Sequence, residues 1–136
     1  MSQENVEVTR RGIEAFNSGN TETLAALSTD DLEIRPATQA AVEGRSSVYR
    51  GKSAWTSYFA FIREIWEEWG IAEAEYYEGD NDRLAAIVRV VGIGAGSGAR
   101  VERTVGLAFR FRSGKFCRVD GYEEPREALE AVGFSE

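Results

Sequence analysis

The chain has no histidine, and that absence excludes more chemistry than any motif present supplies. Ser-His-Asp and Cys-His nucleophiles and every histidine-ligated metal site fall together, because each needs an imidazole to accept a proton or hold a cation. Cysteine is nearly as scarce. Cys117 stands alone, so no internal disulfide can form, and without a histidine to take its proton the thiol reads as an inert, partly buried group. No apolar run approaches the roughly 20 residues that a membrane helix needs, and the N-terminus lacks the basic and apolar regions of a signal peptide. A cytoplasmic protein that does not enter a membrane is expected. No metal or other cofactor is expected either, since only carboxylates remain as hard ligands and they look solvated.

Basic charge is also short. Lys and Arg number 16 against 23 Asp and Glu, a net charge of −7 that repels phosphate backbones, so nucleic acid is not an expected partner. The stretch from Glu64 to Asp82 holds eight carboxylates and no base, interleaved with aromatic residues, as an outer solvated face would be. What remains is ordinary globular composition, 43% hydrophobic over 136 residues. That is enough to bury one core, and residues 1–136 read as a single domain.

Val6, Ile13 and Phe16 recur at helical spacing until Gly19, and Asn20 can cap a short second helix carrying Leu24 and Leu27. An extended run follows from Leu32 to Pro36. The segment 37–50 has no period and reads as a loop. A long helix is predicted to start at Gly51 to Ser53 and to carry Trp55, Phe59, Ile62, Trp66 and Trp69 down one side until Gly70. Beyond it the period changes to strands over 71–77, 84–93, 101–111 and 116–122, with turn-rich breaks short enough for an antiparallel meander. A short helix over 126–131, stopped by Gly133, closes the chain. The fold class is α+β, a cone-like curved antiparallel sheet on three N-terminal helices. In the third of these strands Arg103, Val105, Leu107, Phe109 and Phe111 share one face, predicted to be the inner one.

Four short segments carry a family resemblance: 15–20 (Ala-Phe-Asn-Ser-Gly-Asn), 30–36 (Asp-Asp-Leu-Glu-Ile-Arg-Pro), 49–52 (Tyr-Arg-Gly-Lys) and 111–116 (Phe-Arg-Ser-Gly-Lys-Phe). With the order helix, helix, strand, long helix, meander, the chain resembles the nuclear transport factor 2-like superfamily, which includes SnoaL-like polyketide cyclases and ketosteroid isomerases. The resemblance implies an internal pocket for a small molecule and frequent homodimers, here through Phe116 and Tyr122 on the outer side of the last strand. Ketosteroid isomerases carry a carboxylate base, two proton donors and a cavity aromatic at places that look to be filled here by Arg35, Gly12, Leu107 and Glu123. None of the four can play the same part, so the steroid-type proton shuttle cannot run through them.

The resemblance still implies a site. Arg35, Arg103 and Glu123 would project toward a cavity walled by Trp55, Phe59, Ile62, Leu107 and Phe109. Two arginines and a carboxylate in apolar surroundings would suit an acidic ligand, or Glu123 would be the catalytic base of a cofactor-independent isomerase, cyclase or lyase acting on a small carbonyl or acidic compound. The alternatives are a structural ion pair between Arg103 and Glu123 and a non-catalytic ligand-binding or assembly module. Two motifs carry nothing further. Gly51-Lys52-Ser53 lacks the earlier glycine and the leading strand of a P-loop, and the glycine-rich run 92–98 precedes a strand where a dinucleotide fingerprint would open a helix.

Overall fold

In the computed structural model, which describes residues 2–37 and 48–134, α1 (Ser2–Asn17) and α2 (Thr21–Ala26) open the chain. Gly19 takes a positive φ of 70° between them, and the Asn20 side chain caps α2 by accepting from the Thr23 amide at 3.0 Å. Then come β1 (Ser28–Arg35), β2 (Tyr49–Arg50), α3 (Ala54–Ile65), β3 (Trp66–Glu78), β4 (Arg83–Gly94), β5 (Arg100–Arg112), β6 (Lys115–Tyr122) and α4 (Pro125–Ala131). The segment expected to be a loop ends in β2, while 38–47 lie outside the described residues. No helix among the described residues is long and apolar enough to cross a membrane.

The six strands form one sheet in the order β2-β1-β6-β5-β4-β3. β3 to β6 are the predicted antiparallel meander, but β1 joins β6 in parallel, with Ile34 opposite Val119 and Arg35 opposite Asp120. The odd face of β5 is the inner one: Val105, Phe109 and Phe111 are buried with residues of α1, α2 and α3 in the main core. Leu24, Leu32, Ile34, Leu84 and Val88 are the large apolar side chains most fully enclosed there, each contributing about 1.5–3 kcal/mol of transfer free energy. The opposite face of the sheet is also covered in part. Ala128 of α4 packs with Ala85 and Ala108 in a second small core. Gly106 allows this approach, since a Cβ there would lie 2.7 Å from that of Ala128.

α1 is tied to the free edge of the sheet by one side chain. Asn17 donates from Nδ2 to the Ile71 carbonyl at 2.9 Å and accepts the Ile71 amide at 2.8 Å, standing in for a neighbouring strand.

Two expectations fail for the same physical reason. The long helix was expected to reach Trp69, but α3 stops at Ile65 and Trp66 is extended, with φ −123° and ψ 132°. A spacing of three fits a helix, and it also fits a strand with a bulge. The register of β3 on β4 shifts between Trp66 and Glu68. Both indoles thus come to one face, stacked with centroids 4.7 Å apart. Likewise, Phe116 was assigned to the outer face of β6. The register shifts where Arg110 pairs with Arg118 and Phe111 with Phe116, so the extra residue turns Phe116 and Val119 both inward. Phe116 is in the core and offers nothing to a partner; of the two residues that suggested a dimer only Tyr122, half-buried, remains outside it.

The indole stack lies over Gly92, where a Cβ would approach Trp69 to 2.5 Å and Trp66 to 2.9 Å. Gly92→Ala is therefore expected to cost about 2 kcal/mol through overpacking. Urea unfolding should show a lower midpoint at unchanged slope. An unaltered midpoint would mean that the indoles do not rest on this glycine.

Candidate functional site

Between the inner face of the sheet and the helices α1 and α3 lies a cavity of about 90 Å³. Its wall is made by Ile13 and Phe16 of α1, Trp55 and Tyr58 of α3, Val88 and Val90 of β4, Val105, Leu107 and Phe109 of β5, and Phe116, Val119 and Gly121 of β6. Gly12 also borders it, where a Cβ would come within 3.0 Å of the Phe116 ring. Of the residues singled out from the sequence, Arg35, Trp55, Leu107 and Phe109 line this cavity. Phe59 and Ile62 line an adjoining open cleft between the ends of α1 and α3 and the start of β3. The two spaces share Phe16, Trp69 and Ile71. Arg103 and Glu123 are among the lining residues of neither.

The polar side chains on the wall are few, and most are engaged. Thr9 donates from Oγ1 to the Asn5 carbonyl at 2.8 Å. The Trp55 indole N–H donates to Ser28 Oγ at 3.1 Å, and Ser28 in turn donates to the Leu24 carbonyl at 2.7 Å, which locks α3, β1 and α2 together. Arg35 sits at the end of β1 with its guanidinium facing two carboxylates, Nη2 at 3.5 Å from Glu33 and Nε at 3.8 Å from Asp120. Asp120 also accepts from Arg118 Nε at 2.8 Å. A cation so neutralised is a weak lure for an anion in the cavity.

Tyr58 is different. It is 8% exposed, and its ring packs among Phe16, Tyr49, Trp55 and Phe59 with centroids 5.6–6.5 Å away. Burial, with the nearby Tyr49 phenol a smaller influence, pushes its ionisation well above the ordinary tyrosine value. The hydroxyl is thus a neutral donor throughout the physiological range. The sequence carried the signal for it: position 58 is three residues after Trp55 and four before Ile62, on the same apolar stripe of α3. Trp69, Ile71, Val88 and Phe116 are among the other wall residues that the sequence did not point to. Two of them sit beyond bulges that hid their face.

Arg103 and Glu123 do meet. Arg103 Nη2 forms an ion pair with Glu123 Oε1 at the end of the sheet, where Arg103 lies opposite Val90. Both carboxylate oxygens of Glu123 are enclosed and lack a geometrically good hydrogen bond, while the two side chains keep 43% and 36% of their exposure. Cys117 is only partly buried, and desolvation raises its thiol above the ordinary range, so it carries little thiolate. Among the described residues no group of three or more His, Cys, Asp or Glu could hold a metal ion.

A sheet packed on three N-terminal helices, with an apolar cavity between them, is the architecture of the nuclear transport factor 2-like fold. Residues 9–119 match the SnoaL-like domain, and the chain belongs to that family. No curated protein matches it in sequence. Among solved structures it is similar to an NTF2-like protein of unknown function from Burkholderia pseudomallei, at 15% identity over 95% of this chain and 97% of that one, TM-score 0.78. TerC, co-crystallised with polyporic acid, is 16% identical over 95% and 97%, TM-score 0.78. A candidate polyketide cyclase from Xanthomonas campestris pv. campestris is 20% identical over 96% and 98%, TM-score 0.74. At these identities the likeness shows the fold.

The half-exposed ion pair is expected to be a modest structural element. In a double-mutant cycle of Arg103→Met and Glu123→Gln, the coupling should be about 1 kcal/mol and should shrink in 1 M salt. A coupling near zero would show that the two side chains do not act on each other.

Proposed function

We propose that this SnoaL-like domain holds a small, mainly apolar and uncharged molecule in the cavity between α1, α3 and the sheet, without a cofactor. The observation that carries the reading is the wall itself. Its described residues are almost wholly aliphatic and aromatic, and they include neither a carboxylate nor an imidazole. A ligand carboxylate placed there would lose its hydration, and Arg35, the one cation among the described wall residues, already faces two carboxylates, so the cost would be several kcal/mol. An uncharged ring would exchange water for close apolar contact.

The same observation weighs against the other reading, a cofactor-independent isomerase, cyclase or lyase. Such an enzyme needs a proton acceptor within hydrogen-bond reach of its substrate. Glu123, the best candidate from the sequence, is paired with Arg103 and is not among the wall residues. The Tyr58 phenol keeps its proton and is a donor rather than a base.

Trp55 and Trp69 both border the cavity and report on its contents. Titration followed by indole fluorescence and by melting temperature should show saturable binding of neutral single-ring compounds such as toluene. Benzoate should bind at least about tenfold more weakly. A preference for benzoate would restore the anion-binding reading, and no binding of either compound would remove the binding function.

A further inference from the structure

We propose that the Tyr58 hydroxyl is the polar anchor of the cavity, donating a hydrogen bond to a carbonyl oxygen on an otherwise apolar, single-ring ligand. The inference rests on the binding reading above and narrows the ligand class from apolar compounds in general to aryl or cyclic ketones and their like.

Four of the described wall side chains besides Tyr58 carry polar groups or charge close to the cavity; three of them are hydrogen-bonded to the protein, although Arg35 Nε is enclosed without a hydrogen bond of its own. Thr9 is bonded to its own helix. Trp55 is bonded to Ser28. The Arg35 guanidinium faces Glu33 and Asp120. The Trp69 ring is stacked on Trp66. Tyr58 and Trp69 form no hydrogen bond with a described residue, and of the two Tyr58 is the more deeply buried, at 8% exposure. A phenol in such surroundings usually finds a hydrogen-bond partner. A ligand oxygen satisfies that need.

Geometry also limits the ligand's size and the chemistry of its other end. A cavity of about 90 Å³, smaller than the roughly 150 Å³ that takes up benzene, limits the ligand to one ring at most. The wall also includes Ile13, Val88, Val90, Val105 and Phe109, which offer dispersion contacts and no hydrogen bonds. An acceptor at one end of the ligand and hydrocarbon at the other therefore match the site. A carbonyl fits better than a carboxylate, because one neutral donor can satisfy a neutral acceptor but cannot replace the hydration of a full charge.

Acetophenone and cumene form the test pair, since they are close in shape and differ in the carbonyl. Wild type and Tyr58→Phe are titrated with both, and the carbonyl stretching band of bound acetophenone is recorded. The wild type should favour acetophenone, with its carbonyl band shifted to lower wavenumber than in hexane. In Tyr58→Phe the affinity for acetophenone should fall roughly three- to tenfold and the band return toward its hexane position, while cumene changes less than about twofold. The band in the wild type needs no variant, so a poorly folded Tyr58→Phe would not blunt the test. If both compounds bind the wild type equally and the band is unshifted, the anchor is wrong while the binding reading stands. If both lose affinity alike in Tyr58→Phe, the phenol is only packing and the anchor is likewise overturned. If neither binds the wild type, the binding reading falls and the anchor with it.

Discussion

The parallel pairing of β1 with β6 is the contact on which the cavity depends. The meander from β3 to β6 is held together by short connections, but α1 and α2 come before it in the chain and need something that seats them on its inner face. β1 supplies this, with Glu33, Ile34 and Arg35 in register with Arg118, Val119 and Asp120. The Phe116 amide adds a bond to the Leu27 carbonyl at 2.9 Å, just before β1 begins. A parallel pair needs a long connection, and here α3 and the meander provide it. At the other edge of the sheet Asn17 bonds both backbone groups of Ile71, so α1 is held from two sides. Helices pinned at both edges span the sheet without filling the space beneath them.

Polarity is sorted around that space. Charges gather outside it in cross-strand pairs, such as Arg89 with Glu73 and Glu102, where solvent makes each pair worth little. The acidic stretch of β3 is exposed and partly neutralised in this way. Within the cavity Thr9 and Trp55 are bonded to the protein and Arg35 faces two carboxylates, while the phenol of Tyr58 has no hydrogen bond to a described residue. The arrangement favours holding a neutral ligand over moving its protons, because charge development on a substrate would meet almost no preorganised dipoles.

Much of this was legible in the sequence wherever a local period decides the structure. The alternation of Val105, Leu107, Phe109 and Phe111 identified the inner face of β5, and Trp55, Phe59 and Ile62 marked the buried side of α3. Arg103 and Glu123 are paired, and the pair is half-exposed. The misses have physical causes. A bulge changes which face a strand residue occupies without changing its spacing, so Trp66 and Trp69 looked helical and Phe116 looked external. The partner of β1 lies more than eighty residues further along the chain and leaves no local trace. Arg35 was read as projecting toward the cavity to suit an acidic ligand, because the carboxylate of Asp120 reaches it only through that long-range pairing.

The central claim is that the space between α1, α3 and the sheet is apolar and able to take a ligand. A crystal pressurised with xenon tests it most directly, since xenon enters apolar cavities and displaces no ordered water there. The account predicts a xenon site bounded by Phe16, Val88, Val105, Phe109 and Phe116. A chain of hydrogen-bonded water in that position, or side chains closing it, would contradict the account.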